Sequence, residues 1–279
     1  MTAGRLAGRV AIVTGAGSGI GQAAAIRFGL EGARVLCADV DGSTAEATAT
    51  TITGGGGGTA EAIHVDATQR PSVEAMAAAA VDRWGSVDIL FANAGTSGVA
   101  TALTCDDELW DRNMTVSLRS AWLSSQAVLP AMIDQHRGSI ILMSTAAAVT
   151  GLPNTFPHAA AKGAIIAMAR QMAADFGQDN IRVNAMAPGA IVTPLLRRTY
   201  EERARQGAYP SAQAGMDATA KTYQLGRLGS VDDCANLAVF LASDESSWCT
   251  GSIFTVDGGL TTTSALGASP GATPSVPSR

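Results

Sequence analysis

Short apolar runs alternate with longer alanine-rich segments along most of the chain. The runs are rich in valine, isoleucine and leucine, which is typical of parallel strands whose two faces are both covered by helices. The pattern predicts seven strands, at residues 10–14, 34–38, 61–65, 87–92, 139–143, 182–187 and 253–256. It predicts helices at residues 19–29, 43–53, 71–84, 106–133, 158–176 and 231–242. Such an alternation indicates a chain built from βαβ units.

The predicted fold class is α/β, with a doubly wound, Rossmann-like parallel sheet of about seven strands. A chain of 279 residues with 47% hydrophobic composition can bury one substantial core. We therefore expect a single dinucleotide-binding domain over residues 1–260. Residues 261–279 have hardly any apolar bulk, and we expect this tail to be disordered because it cannot offset its ordering entropy.

Composition and charge argue against several classes of protein. The net charge is -5 and no run of lysine or arginine occurs, so we do not expect nucleic acid as a partner. No stretch approaches the roughly 20 apolar residues of a membrane helix and no leader pattern is present, so we expect a cytoplasmic protein without membrane contact. The four cysteines lack metal-ligand spacing, and we predict no metal site.

The first predicted strand is followed by a glycine-rich turn and then by a helical pattern. Glycines at such a turn let the backbone approach a pyrophosphate, and the free N–H groups of the helix N-terminus face its negative charge. The spacing is TGxxxGxG rather than GxGxxG. In this form the segment resembles the short-chain dehydrogenase/reductase family. The cofactor-binding residues that it implies are Gly15, Gly17, Ser18, Gly19, Ile20 and Gly21.

The resemblance continues in order from about Leu6 to Leu260. Asp66, followed by Ala67, is similar to the family's adenine-contacting aspartate, and residues 93–95 match its NAG motif. Residues 188–193 match its PGxxxT segment, which closes over the nicotinamide. Residues 226–229, 240–243 and 256–259 match its C-terminal stretch. The further cofactor contacts that the resemblance implies are Asp66, Ala67, Asn93, Gly95, Lys162, Pro188, Gly189, Ile191 and Thr193.

The choice between NAD and NADP depends on the end of the second strand. Asp39 lies about 20 residues beyond the glycine turn, where a carboxylate binds both ribose hydroxyls and repels a 2′-phosphate. The family's NADP-preferring members place lysine or arginine inside the turn, and this chain has Ser18 there. These residues predict NAD as the cofactor. The alternative interpretation of Asp39 is a helix-capping or solvated acid.

The family's catalytic set is an asparagine, a serine, a tyrosine and a lysine, and three of the four differ here. The matching positions are Ser117, Thr145, His158 and Lys162, with Ser144 directly before Thr145. By resemblance, the lysine holds the ribose, the hydroxyl binds the substrate oxygen and the tyrosine position exchanges the proton. Asn113 lies one helical turn before Ser117 and is a candidate to replace the missing amide.

His158 is the position on which the predicted chemistry depends. Imidazole has an unperturbed pKa near 6.5, whereas a phenol starts near 10. Lys162 and an oxidised nicotinamide are both cationic and disfavour imidazolium, which leaves a neutral His158 able to accept a proton. Two hypotheses follow: His158 is a base for alcohol oxidation or for proton abstraction beside a carbonyl, or it merely fills the space in a binding protein or a very slow enzyme.

Residues 194–225 correspond by resemblance to a lid over a small-molecule substrate, with a hydrophobic secondary alcohol or ketone as the starting expectation. The family's interfaces imply a homo-oligomer, a tetramer by analogy. The sequence thus predicts an NAD(H)-dependent oxidoreductase with an atypical Ser-Thr-His-Lys set. The alternatives are non-redox chemistry, such as isomerisation, dehydration or carbon-carbon cleavage, and a catalytically silent NAD-binding subunit.

Overall fold

Seven parallel strands form a single sheet in the computed structural model, which describes residues 4–55 and 58–262. The strands are β1 (Val10–Thr14), β2 (Arg34–Asp39), β3 (Thr59–His64), β4 (Ile89–Ala92), β5 (Gly138–Met143), β6 (Ile181–Pro188) and β7 (Ile253–Val256). Their order across the sheet is β3-β2-β1-β4-β5-β6-β7. The order reverses between β1 and β4, and the carboxyl edge at such a reversal is where doubly wound folds bind ligands.

Helices cover both faces of this sheet. They are α1 (Gly19–Leu30), α2 (Gly42–Gly54), α3 (Arg70–Trp84), α4 (Asp107–Asn113), α5 (Ser120–Asp134), α6 (Phe156–Phe176), α7 (Pro194–Arg205), α8 (Ala212–Ala220) and α9 (Val231–Ala242). Alternate residues of β1 belong to two different cores. Val10 and Ile12 pack in the core that includes residues of α3, α5 and α6, and Ala11 and Val13 in the core that includes residues of α1, α2 and α9. The predicted fold, a single Rossmann-like α/β domain, is confirmed.

The prediction of one continuous helix at residues 106–133 is wrong in its middle. A π-helical turn, Met114–Arg119, separates α4 from α5. The hydroxyl of Ser120 donates to the carbonyl oxygen of Val116 at 2.6 Å, and such side-chain bonding competes with regular helix geometry. Single π-helical turns inside α-helices are frequent at functional sites. This turn carries Ser117 into the interior, where the side chain is fully buried.

The C-terminal third contains the segment predicted as a lid and the start of the predicted tail. Residues 194–225 form α7 and α8 with the connections around them. Leu260, Thr261 and Thr262 make a short 3-10 turn, and the hydroxyl of Thr261 donates to Asp257 at 2.7 Å. Thr261 and Thr262 are therefore ordered, and the rest of the predicted tail, 263–279, lies outside the described residues.

No helix within residues 4–55 and 58–262 has the length and apolar character needed to cross a membrane. Within the same residues, no group of three or more histidine, cysteine, aspartate or glutamate side chains could hold a metal ion. The homo-oligomer and the cytoplasmic location stay predictions.

Candidate active site

A cavity of about 850 Å³ lies at the carboxyl edge of the sheet, a size typical of small-molecule and cofactor sites. Thr14, Asp39, Met143 and Pro188, the last residues of β1, β2, β5 and β6, all contribute to its wall. The predicted site residues that line it are Gly15, Ser18, Gly19, Ile20, Asp39, Asp66, Ala67, Asn93, Gly95, Ser144, Thr145, His158, Lys162, Pro188, Gly189, Ile191 and Thr193. Three predicted residues do not line it: Gly17, Gly21 and Ser117.

Gly17 and Gly21 determine the shape of the turn between β1 and α1 rather than the cavity wall. A Cβ atom at Gly17 would lie 2.0 Å from Thr44 Oγ1, and one at Gly21 would lie 2.0 Å from the backbone oxygen of Gly15. The Asn93 amide donates to the backbone oxygens of Thr14 and Gly15 at 3.1 and 3.3 Å. The turn is therefore held in one conformation at the N-terminus of α1, as a pyrophosphate site requires.

The acidic side of the cavity lies at the ends of β2 and β3. Asp39 Oδ2 accepts from the backbone N–H of Gly17 at 2.8 Å, which places the carboxylate against the glycine turn. The capping role considered for Asp39 belongs instead to Asp41, which accepts from the first N–H groups of α2. Asp66 Oδ1 accepts from both the backbone N–H and the hydroxyl of Thr68. The glycine turn and these acids fit a dinucleotide at this edge.

Lys162 and His158 project from α6, one helical turn apart. The Lys162 side chain is buried, and its Nζ donates to the backbone oxygen of Met143 at 2.7 Å. Burial lowers the pKa of Lys162 to about 8. The hydroxyl of Ser144 donates to the backbone oxygen of Lys162 at 2.9 Å, so Ser144 fixes the strand end against the helix.

The His158 ring has a defined proton arrangement. Its Nδ1 lies 3.0 Å from the backbone oxygen of Thr96. Because a carbonyl oxygen can only accept, Nδ1 carries the proton and Nε2 of the neutral ring keeps its lone pair. Burial and then the charge of Lys162 lower the pKa of His158 to about 4, against the opposing effect of the Thr96 hydrogen bond. His158 is thus a neutral imidazole at physiological pH.

Ser117 contributes through the backbone of Thr96. The Thr96 N–H donates to Ser117 Oγ at 3.2 Å, and Ser117 Oγ donates to the Thr96 oxygen at 3.4 Å. That same oxygen accepts from His158. Ser117 therefore positions the peptide group that orients the imidazole, although it does not reach the cavity. Asn113 is not on the cavity wall either, and its amide donates to Leu109 inside the helix at 2.9 Å.

Thr145 is the hydroxyl that lines the cavity directly after β5. Its Oγ1 accepts from the backbone N–H of Ala147 at 3.4 Å at the start of a 3-10 turn. A hydroxyl that accepts one hydrogen bond still has its own proton to donate. Thr145 can therefore donate to an oxygen atom in the cavity.

Three residues on the cavity wall that bear on its chemistry were not among the site residues predicted from the sequence: Thr96, Arg198 and Arg203. Thr96 acts through its backbone oxygen, and every residue has one, so no sequence signal marks it. Arg198 and Arg203 lie on α7 and face the cavity. The sequence shows that these two residues are charged. It does not show that they face the cavity, because that depends on how α7 packs.

Comparisons with known proteins agree with this architecture. Residues 15–261 match a family model described as enoyl-(acyl carrier protein) reductase. The 2-(S)-hydroxypropyl-CoM dehydrogenase 3 of Xanthobacter autotrophicus is 36% identical over 257 residues, covering 92% of this chain and 98% of that protein. The crystal structure of levodione reductase superposes with a TM-score of 0.88 at 28% identity, covering 93% of this chain and 100% of that one.

The chain belongs to the short-chain dehydrogenase/reductase family, whose fold implies a nicotinamide cofactor. Another relative is named as an inactive 2-(S)-hydroxypropyl-CoM dehydrogenase 2, from the same organism. It is 35% identical over 230 residues, covering 82% of this chain and 96% of that protein. Similarity at this level therefore spans active and inactive relatives, and the reaction has to be inferred from the site itself.

Proposed function

We propose that this protein is an NAD-dependent dehydrogenase that oxidises a secondary alcohol to a ketone, with neutral His158 as the base. The observation that carries the proposal is the hydrogen bond from His158 Nδ1 to the Thr96 oxygen. It leaves Nε2 as an acceptor in a cavity that Thr145 and Lys162 also line. A named dehydrogenase among the relatives agrees with the reaction class.

The roles of the residues follow from their protons. Thr145 donates its hydroxyl hydrogen to the substrate oxygen, and His158 Nε2 accepts the alcohol proton. The Lys162 ammonium, which by resemblance also holds the ribose of the cofactor, stabilises the negative charge that develops on that oxygen as the proton leaves. Bound NAD would accept the hydride from the carbinol carbon. The O–H proton would go to His158 and the C–H hydride to NAD while the C=O bond forms. The alcohol is thereby oxidised by two electrons.

The protonation states of the two α6 side chains suit oxidation near neutrality. With a pKa of about 4, only about one His158 in a thousand carries a second proton at pH 7. With a pKa of about 8, about nine Lys162 in ten are charged at that pH. Nearly every molecule therefore has its base free and its cation in place.

Asp39 supports NAD over NADP. We expect Asp39→Asn to lower the ratio of kcat/KM with NAD to that with NADP at least about tenfold, because the charge that repels a 2′-phosphate is lost. Asparagine keeps an oxygen that can accept from Gly17, so the turn is preserved. The measurement is absorbance of the reduced cofactor with each dinucleotide. Asp41→Asn, on a neighbouring acid outside the cavity wall, is the control, and an unchanged ratio in Asp39→Asn contradicts the assignment.

Exchanging His158 for tyrosine tests the proposed base. A phenol has a far higher unperturbed pKa than imidazole. We therefore expect kcat/KM of His158→Tyr for alcohol oxidation to fall on the acid side at a much higher pH than that of the wild type. The assay is NADH absorbance from a panel of secondary alcohols over a range of pH. NADH formation by neither protein with any alcohol overturns the proposal and favours the silent subunit or non-redox chemistry.

A further inference from the structure

We propose that Arg198 and Arg203 form an anion-binding subsite, so that the alcohol substrate carries a carboxylate, sulfonate or phosphate group. This inference rests on the proposed function, because it names the class of substrate for the same cavity. Both arginines line the cavity. A substrate with an anionic group differs from the hydrophobic alcohol that was the starting expectation from the sequence.

The cavity-facing side of α7 carries both guanidinium groups. At 3.6 residues per turn, Leu195, Arg198, Thr199 and Arg203 fall within an arc of about 140°, and they line the cavity together with Pro194, Leu196 and Tyr200 of the same helix. The Thr199 hydroxyl lies 3.2 Å from that of Ser97, the residue after the one that orients His158. This contact joins the arginine-bearing face of α7 to the segment that orients the base.

The charges around the cavity are unevenly distributed. The carboxylates on its wall are those of Asp39 and Asp66, which lie at the ends of β2 and β3. The α7 end carries Arg198 and Arg203 without an acid. Within residues 4–55 and 58–262, neither guanidinium forms an ion pair or donates a hydrogen bond, whereas the nearby Arg205 pairs with Glu202. Arg198 is exposed and Arg203 is half-buried, so both guanidinium groups are available to the charged group of an anionic substrate.

The Arg203 guanidinium is held in place by an aromatic ring. It lies 5.4 Å from the ring centroid of Tyr200, which is a cation–π contact. Tyr200 is itself buried, and its hydroxyl is hydrogen-bonded to Thr219. A planar guanidinium that is already oriented binds carboxylate, sulfonate and phosphate oxygens through paired N–H groups. The α7 face therefore has the chemistry of an anion site.

The test compares substrates that differ in charge alone. The probes are hydroxy acids from 3-hydroxybutanoate to 7-hydroxyoctanoate, each paired with its methyl ester, together with secondary alcohols that end in sulfonate or phosphate. Oxidation is followed by NADH absorbance, and binding by calorimetry. The variant is Arg198→Gln/Arg203→Gln. The control is Arg197→Gln, which removes an exposed charge on the same helix outside the cavity wall.

The expected result is that at least one acid binds about tenfold or more tightly than its ester. We expect the double variant to lose about 10- to 100-fold in affinity for that acid, the range for hydrogen bonds to charged groups. Affinity for the ester and the KM for NAD should change little in the double variant, and affinity for the acid should change little in Arg197→Gln. The sulfonate and phosphate arms show which anion the subsite prefers.

Calorimetry separates a failure of this inference from a failure of the proposed function. Charge-dependent binding that the double variant loses, without NADH formation, supports the subsite and overturns the dehydrogenase assignment. Acids and esters that bind or react equally overturn the subsite and leave the dehydrogenase assignment in place. A double variant that weakens NAD rather than the acid also overturns the subsite, because the guanidinium groups then serve the cofactor.

Discussion

Replacing His158 by alanine is expected to lower kcat for alcohol oxidation by about 10²- to 10⁴-fold, the usual contribution of a general base. The KM for NAD should change little, because the glycine turn and Asp39 lie at other strand ends. The loss should be partly reversed by added imidazole, which can occupy the space that the ring leaves and accept the proton. Steady-state NADH formation with and without imidazole measures both effects.

His64→Ala is the matched control for that experiment. His64 is the last residue of β3, is exposed and does not line the cavity. We expect this variant to retain the kcat of the wild type. Wild-type kcat in His158→Ala would mean that the ring merely fills space, which was the second hypothesis from the sequence.

Replacing Lys162 by methionine is expected to lower kcat by about 10²- to 10³-fold, as removal of one stabilising donor at a developing oxyanion does. It should also move the acid-side fall of kcat/KM for oxidation to higher pH. Lys162 is the second cause of the lowered His158 pKa, after burial. Removing its charge makes imidazolium less unfavourable, so the pKa rises from about 4 toward the unperturbed 6.5 and stays below it because the ring is still buried.

The pH dependence of kcat/KM, measured on folded protein, reports this shift. Lys221→Met is the control, because Lys221 is exposed at the C-terminal end of α8 and lies outside the cavity wall. Its acid limb should coincide with that of the wild type. A lowered kcat in Lys162→Met with an unmoved limb would show that the two α6 side chains do not interact electrostatically.

The parts of the fold that the sequence predicts well are those with strong local signals. All seven strands occur, since both faces of the sheet are covered and the apolar runs are nearly continuous. Strand ends are less well predicted, since β4 begins at Ile89 rather than at residue 87. The side chain of buried Asp88, directly before it, accepts from the backbone N–H of Val10 and pairs with Arg9 and Arg137. The π-helical turn was missed because the helical pattern of the sequence continues through it.

The sequence predicted which residues form the site more completely than it predicted what each of them does. The four-residue spacing of His158 and Lys162 places both on one face of α6, as helix periodicity requires. The sequence could not show that the Thr96 backbone oxygen fixes the His158 tautomer, or that Ser117 acts through that same peptide group. Both effects depend on backbone atoms brought together by tertiary packing, as does the cavity-facing side of α7.

The rival functions make different use of the same cavity. A silent subunit needs no free base and no open space beside it, yet the cavity wall continues past His158 to the α7 residues. Isomerisation, dehydration or carbon-carbon cleavage would use the same base without a net change in the cofactor. Formation of NADH is therefore the observation that separates oxidation from both rivals.

The most direct test of the neutral His158 base is the pH dependence of kcat/KM for the wild type in both directions, over the pH range in which circular dichroism shows folded protein. Since the base has a pKa of about 4 and Lys162 one of about 8, oxidation should be flat from about pH 5 to about pH 7 and should fall as Lys162 loses its charge at higher pH. Ketone reduction, which needs imidazolium, should fall about tenfold for each pH unit over the same interval. An acid-side fall of kcat/KM for oxidation with an apparent pKa at or above the unperturbed imidazole value of about 6.5 would contradict the account. So would the absence of NADH formation at any pH.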